Sequence, residues 1–338
     1  MKDFLLKLAP VWRLKPLGLL TLLTGQKLVM PFYHAVEDEP QPYLKHAYPV
    51  KSVKSFEKDL DELLHHFEPI DTETLINWAQ TGKQPSKRSF WLSFDDGLSS
   101  FYHFAAPVLK RKGIPAACFV NTAFIDNKDL FFRYKASLVI EQINGLENVV
   151  IKKIAGKLEV ETDFQVIKER IESVKYAEKR LLDDVAEIAG ISFSEFLKTE
   201  QPYLSTAQIK SLLKDGFTIG AHSLDHPKFS EIPIEEQVRQ TEQSVGNLVK
   251  AFDIKTPLFS FPFTDDKVSK AYFERLRNNP VSPVLTFGTA GLKRDQIYTN
   301  LQRIPVELGH ASAMDIIRME YVYYVLKSFI GKNTLKRF

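Results

Sequence analysis

Short apolar runs alternate with amphipathic helical patterns along most of this chain of 338 residues. Residues 55–67 and 234–252 repeat apolar side chains at the three- and four-residue spacing of a helix that packs one face on a core. Strand-like runs lie between such stretches, at residues 28–33, 89–94, 115–120, 217–221, 257–262, 283–287 and 302–307. This alternation predicts an α/β fold in which helices connect parallel strands.

One block departs from the alternation. Residues 127–202 carry charged amphipathic helical patterns and little strand character, which predicts an all-helical insertion. We therefore expect an amphipathic segment over 1–27, one α/β domain over 28–330 that contains the insertion, and a short basic, solvated tail over 331–338. A hydrophobic content of 44% is sufficient for one large core at this length.

Two carboxylates follow one strand-like run and two histidines follow another. Asp95 and Asp96 precede Gly97, and His222 and His226 have a spacing that a tight loop brings together. One Asp and two His residues supply three oxygen and nitrogen ligands, which leaves a catalytic divalent ion with open positions for water and substrate. The remaining Asp is then free to collect the proton of an attacking water.

The motif Phe94-Asp95-Asp96-Gly97 with His222-Ser223-x-x-His226 resembles the first two motifs of the NodB-like polysaccharide deacetylases, the fourth carbohydrate esterase family. Residues 114–120 and 204–222 resemble strands and a helix of that family, and 31–34 resembles the opening strand of its bacterial surface-polysaccharide branch. The likeness covers most of residues 28–320 outside the insertion. It implies an irregular (β/α)7 barrel of the NodB type.

The resemblance also implies roles for individual residues. Asp95 would be the general base, and Asp96, His222 and His226 would hold a divalent cation, with Ser223 beside these ligands. Zn²⁺ is the usual ion in the family, and other divalent ions remain open because an O/N/N donor set does not decide the metal. The implied reaction releases acetate and an amine from an N-acetylated saccharide.

The third family motif lacks its usual arginine, since residues 260–263 read Ser-Phe-Pro-Phe. Without a cationic neighbour, burial would raise the pKa of Asp95. Arg303, on the last strand-like run, is a candidate replacement, and a solvent-facing arginine at a strand end is the alternative.

The family's last motif supplies a histidine that protonates the departing amine. Under the resemblance His310 is the available match, although its surroundings also fit a loop entering the final helix. His34, at the end of the first strand, would line the pocket or be satisfied within the core. Asp265 would bind sugar hydroxyls, orient a catalytic group, or simply stabilise a turn before a helix.

The insertion begins with aromatic side chains. Phe131 and Tyr134 are candidates for one wall of a sugar-binding groove, and anchoring of the helical core is the equally open alternative.

Charge and composition restrict the partners. A net charge of +3 without a basic, aromatic-rich stripe gives no sign of nucleic-acid binding, and the single Cys118 excludes an internal disulfide framework. The apolar run at 17–23 is too short to span a bilayer and lacks a signal-peptide cleavage site. We expect a cytoplasmic protein, with peripheral membrane contact as an open alternative, and the sequence does not indicate the oligomeric state.

These observations predict a metal-dependent hydrolase that removes N-acetyl groups from an amino-sugar polysaccharide or its lipid-linked precursor. Two alternatives stay open. One is an amidohydrolase that acts on a small non-sugar amide, because the same cation and base serve any carbonyl of suitable shape. The other is a catalytically silent glycan-binding relative, which the missing motif arginine and the uncertain general acid suggest.

Overall fold

A computed structural model of the protein describes residues 16–338 except residues 84, 278, 280 and 310. The helices in these described residues are α1 (Leu17–Thr24), α2 (Val53–His66), α3 (Thr72–Thr81), α4 (Ala106–Lys112), α5 (Phe132–Ile143), α6 (Asn148–Leu158), α7 (Phe164–Glu172), α8 (Arg180–Ala189), α9 (Phe193–Glu200), α10 (Thr206–Lys214), α11 (Ile234–Phe252), α12 (Lys270–Arg277) and α13 (Ala313–Ser328). The strands are β1 (Leu28–Val29), β2 (Pro31–Tyr33), β3 (Glu68–Pro69), β4 (Ser89–Phe90), β5 (Leu92–Phe94), β6 (Ala116–Val120), β7 (Thr218–Ala221), β8 (Leu258–Ser260), β9 (Leu285–Gly288), β10 (Arg294–Asp295), β11 (Asn300–Gln302), β12 (Ile304–Pro305) and β13 (Thr334–Leu335).

Eight parallel strands form a nearly closed barrel in the order β11, β9, β8, β7, β6, β5, β2, β12. Arg303 alone separates β11 from β12, although β11 pairs with β9 at one edge and β12 pairs with β2 at the other. The backbone N–H of Arg303 donates to Gly288, and that of Ile304 donates to Met30 across the seam. The predicted irregular α/β barrel is therefore confirmed, with its last strand divided where the barrel closes.

A second, smaller sheet extends the barrel at the amino ends of its strands. It contains β1, β4 and β3 in parallel, and a single residue separates β1 from β2 and β4 from β5. The barrel strands have buried side chains on both faces, as in β6, where all five residues are buried. Strands covered on both faces read as continuous apolar runs, which is the pattern that the sequence shows.

The all-helical insertion consists of α5 to α9, between β6 and α10. Its helices enclose a second hydrophobic core that also includes Ala35, Leu98 and Tyr203. Ala35 and Leu98 lie in the loops that follow β2 and β5. The insertion therefore packs over the carboxyl ends of the barrel strands, where α/β barrels place their functional loops.

The carboxyl-terminal residues 331–338 are not the solvated tail that the sequence suggested. β13 pairs in parallel with β10. The side chain of Arg337 is only 4% exposed and forms ion pairs with Asp265 and Asp295. Arginine is rarely buried unless it is paired, and these two carboxylates supply the partners. The segment folds back because long-range charge pairing outweighs its local polar character.

Helix α1 follows the first fifteen residues, which lie outside the described part of the chain. It buries Leu17 and Leu20 and packs against α13. Among the described residues, the helices are too short or too polar to cross a bilayer.

Candidate active site

The two carboxylates after β5 diverge because the backbone turns sharply at the end of the strand. Asp96 has a φ of 71° and Gly97 a φ of 65°, so two consecutive residues adopt the left-handed conformation. A Cβ on Gly97 would lie 2.9 Å from Val120, which leaves room for glycine only. The side chains of Asp95 and Asp96 consequently contact two different sets of partners.

A loop after β7 brings the two histidines together. His222 follows the strand directly, and Ser223 and His226 have φ values of 68° and 64°. The hydroxyl of Ser223 accepts a hydrogen bond from the backbone N–H of His226 at 3.0 Å. Left-handed backbone in residues other than glycine is uncommon and concentrates at functional sites. Ser223 thus shapes the loop that positions His226.

Asp96 and the two histidines form a compact buried cluster. Oδ1 of Asp96 lies 3.4 Å from Nε2 of His222 and 3.1 Å from Nε2 of His226. One ligand atom from each residue lies within 4.8 Å of the others. Oδ1 of Asp96 is buried and receives no hydrogen bond. An unpaired buried carboxylate oxygen is costly unless a cation satisfies it, so this donor set fits a metal ion.

The protonation of the histidines also suits a cation. Nδ1 of His222 lies 2.9 Å from the carbonyl oxygen of Ser260. Since a carbonyl only accepts, this nitrogen carries the hydrogen, and Nε2 presents its lone pair to Asp96. Burial lowers the pKa of His226 despite the opposing charge of Asp96. A neutral imidazole is the form that ligates metals.

Two tyrosines fix the other oxygen of Asp96. Oδ2 accepts hydrogen bonds from the hydroxyls of Tyr48, at 3.0 Å, and Tyr134, at 2.7 Å. Tyr134 comes from α5 of the insertion and is fully buried, so it contacts Asp96 and not the space where a sugar would lie. Because Tyr134 holds Oδ2 of Asp96, Oδ1 is left to face the histidines. The insertion therefore contributes directly to the cluster.

Arg303 at the barrel seam binds Asp95 in a bidentate manner. Its two terminal nitrogens donate to Oδ1 and Oδ2 of Asp95, each at 2.7 Å. The hydroxyl of Ser93 accepts from the same guanidinium, and that of Ser260 donates to Oδ2 of Asp95 at 3.3 Å. Arg303 has no exposed surface and lies against the ring of Phe32. The third motif provides no arginine to contact Asp95, and the guanidinium of Arg303 makes that contact instead.

The contact with Arg303 reverses the shift that burial alone would cause in the pKa of Asp95. Burial raises the pKa of Asp95, but the charges of Arg303 and His222 and the Arg303 hydrogen bonds hold it below its usual value. A raised pKa was expected only for a carboxylate without a cationic neighbour, and Arg303 supplies that neighbour.

His34 and Glu307 form a second polar pair, and His34 lines the same cavity as Asp95 and Asp96. Nδ1 of His34 lies 2.6 Å from Oε2 of Glu307, and the backbone N–H of His34 also donates to this carboxylate. Burial lowers the pKa of His34, but Glu307, Asp96 and Asp95 outweigh it and raise the pKa to about 9. The ring stacks on Tyr48 and keeps 24% of its side-chain surface exposed. His34 is thus a protonated group that faces the cavity.

One predicted residue is not brought to this site. Asp265 is buried away from the cavity, where its Oδ2 accepts from Asn300 at 2.8 Å and from Gln302 at 2.6 Å and is paired with Arg337. The expected turn before a helix is present, since the carbonyl of Asp265 accepts from the backbone N–H of Val268, but the side chain of Asp265 serves these buried contacts and not the cavity. His310 lies outside the described residues, and its predicted role as the general acid stays a prediction.

Sequence reasoning missed Glu307 and Tyr48. Glu307 had a usable signal, because it ends the last strand-like run, at the edge where the other polar residues gather. Tyr48 lies in the connection between β2 and α2, where no periodic pattern marks it.

The carboxylates and histidines of the site line one cavity of about 420 Å³. Its polar lining includes Asp95, His222 and His34, and its aromatic lining includes Phe131 and Phe263. The ring of Phe131 packs against His226 with centroids 4.2 Å apart. The insertion supplies a further wall through Arg133, Ala136, Ser137, Ile140 and Glu172. The cavity therefore lies between the barrel and the insertion.

Two solved structures share this fold over nearly their whole length. The deacetylase PplD of Streptococcus pyogenes, in complex with acetate, superposes with a TM-score of 0.55 and 15% identity over 87% of this chain and 97% of its own. IcaB from Ammonifex degensii gives 0.54 and 17% over the same shares. At such identities the likeness shows the fold.

Sequence comparison adds a relationship over part of the chain. Poly-β-1,6-N-acetyl-D-glucosamine N-deacetylase of Staphylococcus aureus strain N315 is 30% identical over 142 residues, which are 38% of this chain and 48% of that protein. The chain thus spans about half the length of the curated relatives it matches. The sequence profile described as polysaccharide deacetylase matches residues 82–281, more than half of the chain. The barrel and this match place the chain in the polysaccharide deacetylase family.

Proposed function

We propose that this protein is a metal-dependent N-deacetylase acting on an amino-sugar polysaccharide. The observation that carries the proposal is the convergence of Asp96, His222 and His226 beside the arginine-bound carboxylate of Asp95 in one cavity. The S. aureus relatives, whose name gives poly-β-1,6-N-acetyl-D-glucosamine as substrate, favour a polymer of N-acetylated amino sugar.

A divalent cation would be held by Oδ1 of Asp96 and Nε2 of His222 and His226. When bound, it would polarise the acyl carbonyl and lower the pKa of a water from about 16 towards about 7. Zn²⁺ suits two imidazoles and one carboxylate, and the same donors accept other divalent ions.

The tyrosine contacts lead to a prediction about metal affinity. Replacing Tyr134 with Phe removes the 2.7 Å hydrogen bond that orients Asp96, and we expect the dissociation constant for Zn²⁺ to rise about 10- to 100-fold. Titration calorimetry on the metal-free protein measures this directly. Tyr272→Phe is a matched control, because Tyr272 is buried and bound to Thr241 away from the cavity. Equal affinities in the two variants would contradict the assigned role of Tyr134.

Asp95 is suited to take the proton of the attacking water. A carboxylate offers about four acceptor sites, and Arg303 and Ser260 use three of them. Oδ1 of Asp95 retains one acceptor position. Arg303 keeps the carboxylate ionised, so it is ready to accept a proton when water attacks the acyl carbon.

His34 is suited to donate a proton to the departing amine. Glu307 fixes the ring through Nδ1, which leaves Nε2 as the nitrogen available for transfer. The elevated pKa keeps the imidazole protonated at neutral pH. These contacts support His34 as the proton donor, a role for which the sequence offered His310 only by elimination.

The Glu307 contact predicts a change in pH dependence. A group that must be protonated causes activity to fall as the pH rises through its pKa, which is about 9 for His34. Glu307→Gln removes the main cause of the raised pKa, so the alkaline limb of the kcat/KM profile should move to lower pH. Glu141→Gln, which removes the carboxylate paired with His46, should leave that limb in place. Superposable alkaline limbs in wild type and Glu307→Gln would argue against His34 as the donor.

The alternatives are less well supported by the geometry. A silent glycan-binding relative was suggested by the missing motif arginine and the uncertain general acid, and Arg303 and His34 occupy positions suited to those tasks. A small non-sugar amide remains compatible with the chemistry, and no contact favours it over a saccharide.

Measurement of acetate release tests the proposed function. Zn²⁺-loaded protein should release acetate and leave free amines on β-1,6-linked N-acetylglucosamine oligomers, and chelation should stop this release. An O-acetylated oligosaccharide and a small N-acetyl amide serve as comparison substrates. Release from the small amide alone would transfer the assignment to an amidohydrolase, and no release from any substrate would reject the proposal.

A further inference from the structure

An exposed apolar surface lies on the helices at the end of the barrel opposite the active site. Leu22 of α1 is 79% exposed, and Phe329, just after α13, is 82% exposed. The two helices pack together, and the hydroxyl of Tyr321 in α13 donates to Gln26 just beyond α1 at 2.8 Å. We call the exposed apolar side chains of this helix pair the apolar ridge: Leu19, Leu22, Leu23, Leu326, Phe329 and Ile330.

Positive charges border the apolar ridge. Leu22 lines one side of a groove whose other lining residues include Lys27, His65, Lys87 and Arg88. Among the described residues that line this groove, Glu68 is the one acidic side chain, and it is paired with Lys87. Lys27 and Arg88 contact backbone carbonyls of Ser86 and His66, so their charge is not neutralised there.

The pKa of a histidine in the groove reflects the positive charges that surround it. The pKa of His66 is lowered by burial and further by the charges of Arg318, His65 and Arg88. The fifteen residues that precede α1 and lie outside the described structure carry Lys2, Lys7, Arg13 and Lys15 against the single Asp3.

The topology fixes which end of the barrel this surface occupies. α1 precedes β1 and Arg88 precedes β4, so both lie at the amino ends of the strands. Helices α2 and α13 begin near the carboxyl ends of the barrel strands and run back towards the amino ends. His65 and Phe329, at the C-termini of these helices, therefore also lie at the amino ends of the strands. The catalytic cavity opens at the carboxyl ends, under the insertion.

We propose that this surface docks the protein on an anionic lipid bilayer, with the catalytic cavity turned towards the aqueous phase. Apolar side chains beside Lys and Arg are the combination that binds the interface of such a bilayer, because the chains enter the acyl boundary and the cations meet lipid phosphates. A protein partner would not require the basic border. In this orientation the cavity meets a polymer that extends from the membrane.

Vesicle co-sedimentation of the full chain tests the proposal. The protein should bind phosphatidylcholine vesicles that contain phosphatidylglycerol much more strongly than pure phosphatidylcholine vesicles, and added salt should weaken this binding. Leu22→Asp and Phe329→Asp should each reduce the partition coefficient about tenfold or more. Lys27→Gln should reduce it about fivefold.

Val149→Asp is the matched control, because Val149 is 56% exposed on α6 of the insertion, away from the apolar ridge. It should bind vesicles as the wild type does. All variants should keep the wild-type unfolding temperature and the wild-type acetate release from a soluble oligosaccharide, so that failure of docking and failure of the proposed function are distinguished. Absence of binding to the anionic vesicles, or binding unchanged by Leu22→Asp, would overturn the proposal. A wild-type dimer that Leu22→Asp dissociates, without vesicle binding, would assign the surface to a second copy of the chain.

Discussion

Asp95→Asn should reduce kcat for acetate release by about 10² to 10⁴-fold, the usual contribution of a general base. Asparagine keeps the shape of the side chain, but its amide does not accept a proton from water at neutral pH. The proposed cation ligands Asp96, His222 and His226 are unchanged, so Zn²⁺ affinity should stay close to that of the wild type. Steady-state kinetics and metal titration on the same preparations separate the two properties.

Asp265→Asn provides the matched control for this prediction. Asp265 is also a buried aspartate paired with an arginine, Arg337, but it lies outside the cavity. Both variants disturb a buried ion pair, so both should lower the unfolding temperature, and only Asp95→Asn should lower kcat. Similar kcat values for the two variants would contradict the assignment of Asp95 as the base.

Arg303→Met should be the most destabilising of the substitutions considered, with a loss of about 3–5 kcal/mol in the free energy of unfolding. The guanidinium is completely buried and supplies two of the three side-chain hydrogen bonds to the carboxylate of Asp95, the third coming from Ser260. Removing it leaves a buried charge without its partner. Urea denaturation of the metal-free protein measures the change without a contribution from ligand binding.

The double variant Asp95→Asn/Arg303→Met tests whether the unpaired charge of Asp95 causes the loss of stability in Arg303→Met. Replacing both members removes the unpaired charge, so the double variant should be markedly more stable than Arg303→Met alone. Additive losses would mean that the two side chains are not energetically coupled and would reject the bidentate pair as the source of the stability.

The positions of Asp95, Asp96, His222 and His226 could be expected from the sequence because each follows a strand-like run. Parallel strands in a barrel end at one rim, so residues at those ends approach one another even when they are distant in the chain. The apolar periodicity also identified the helix Ile234–Phe252, since the pattern continues over five turns without a break.

Arg303 illustrates what the sequence could not decide. Its candidacy rested on its place in the last strand-like run, and the same position favoured a solvent-facing side chain at a strand end. The choice depends on barrel closure, because Arg303 is the residue at which the chain passes from one sheet edge to the other. No local pattern encodes that crossing.

The proposed proton donor and the tyrosine contacts could not be assigned from the sequence for a similar reason. His34 acquires its character from Glu307, 273 residues away in the chain. Tyr48 and Tyr134 meet on one oxygen of Asp96 only after the insertion has packed on the barrel. The basic tail was misread as well, because the carboxylates that bury Arg337 are 42 and 72 residues distant.

Stoichiometric metal binding tests the central claim most directly. Titration calorimetry of the metal-free protein with Zn²⁺ should give one tight site, with binding lost in His226→Ala and retained in His103→Ala, which removes an exposed histidine far from the cluster. Failure of the wild type to bind one equivalent, or equal binding by both variants, would contradict a cation held by Asp96, His222 and His226.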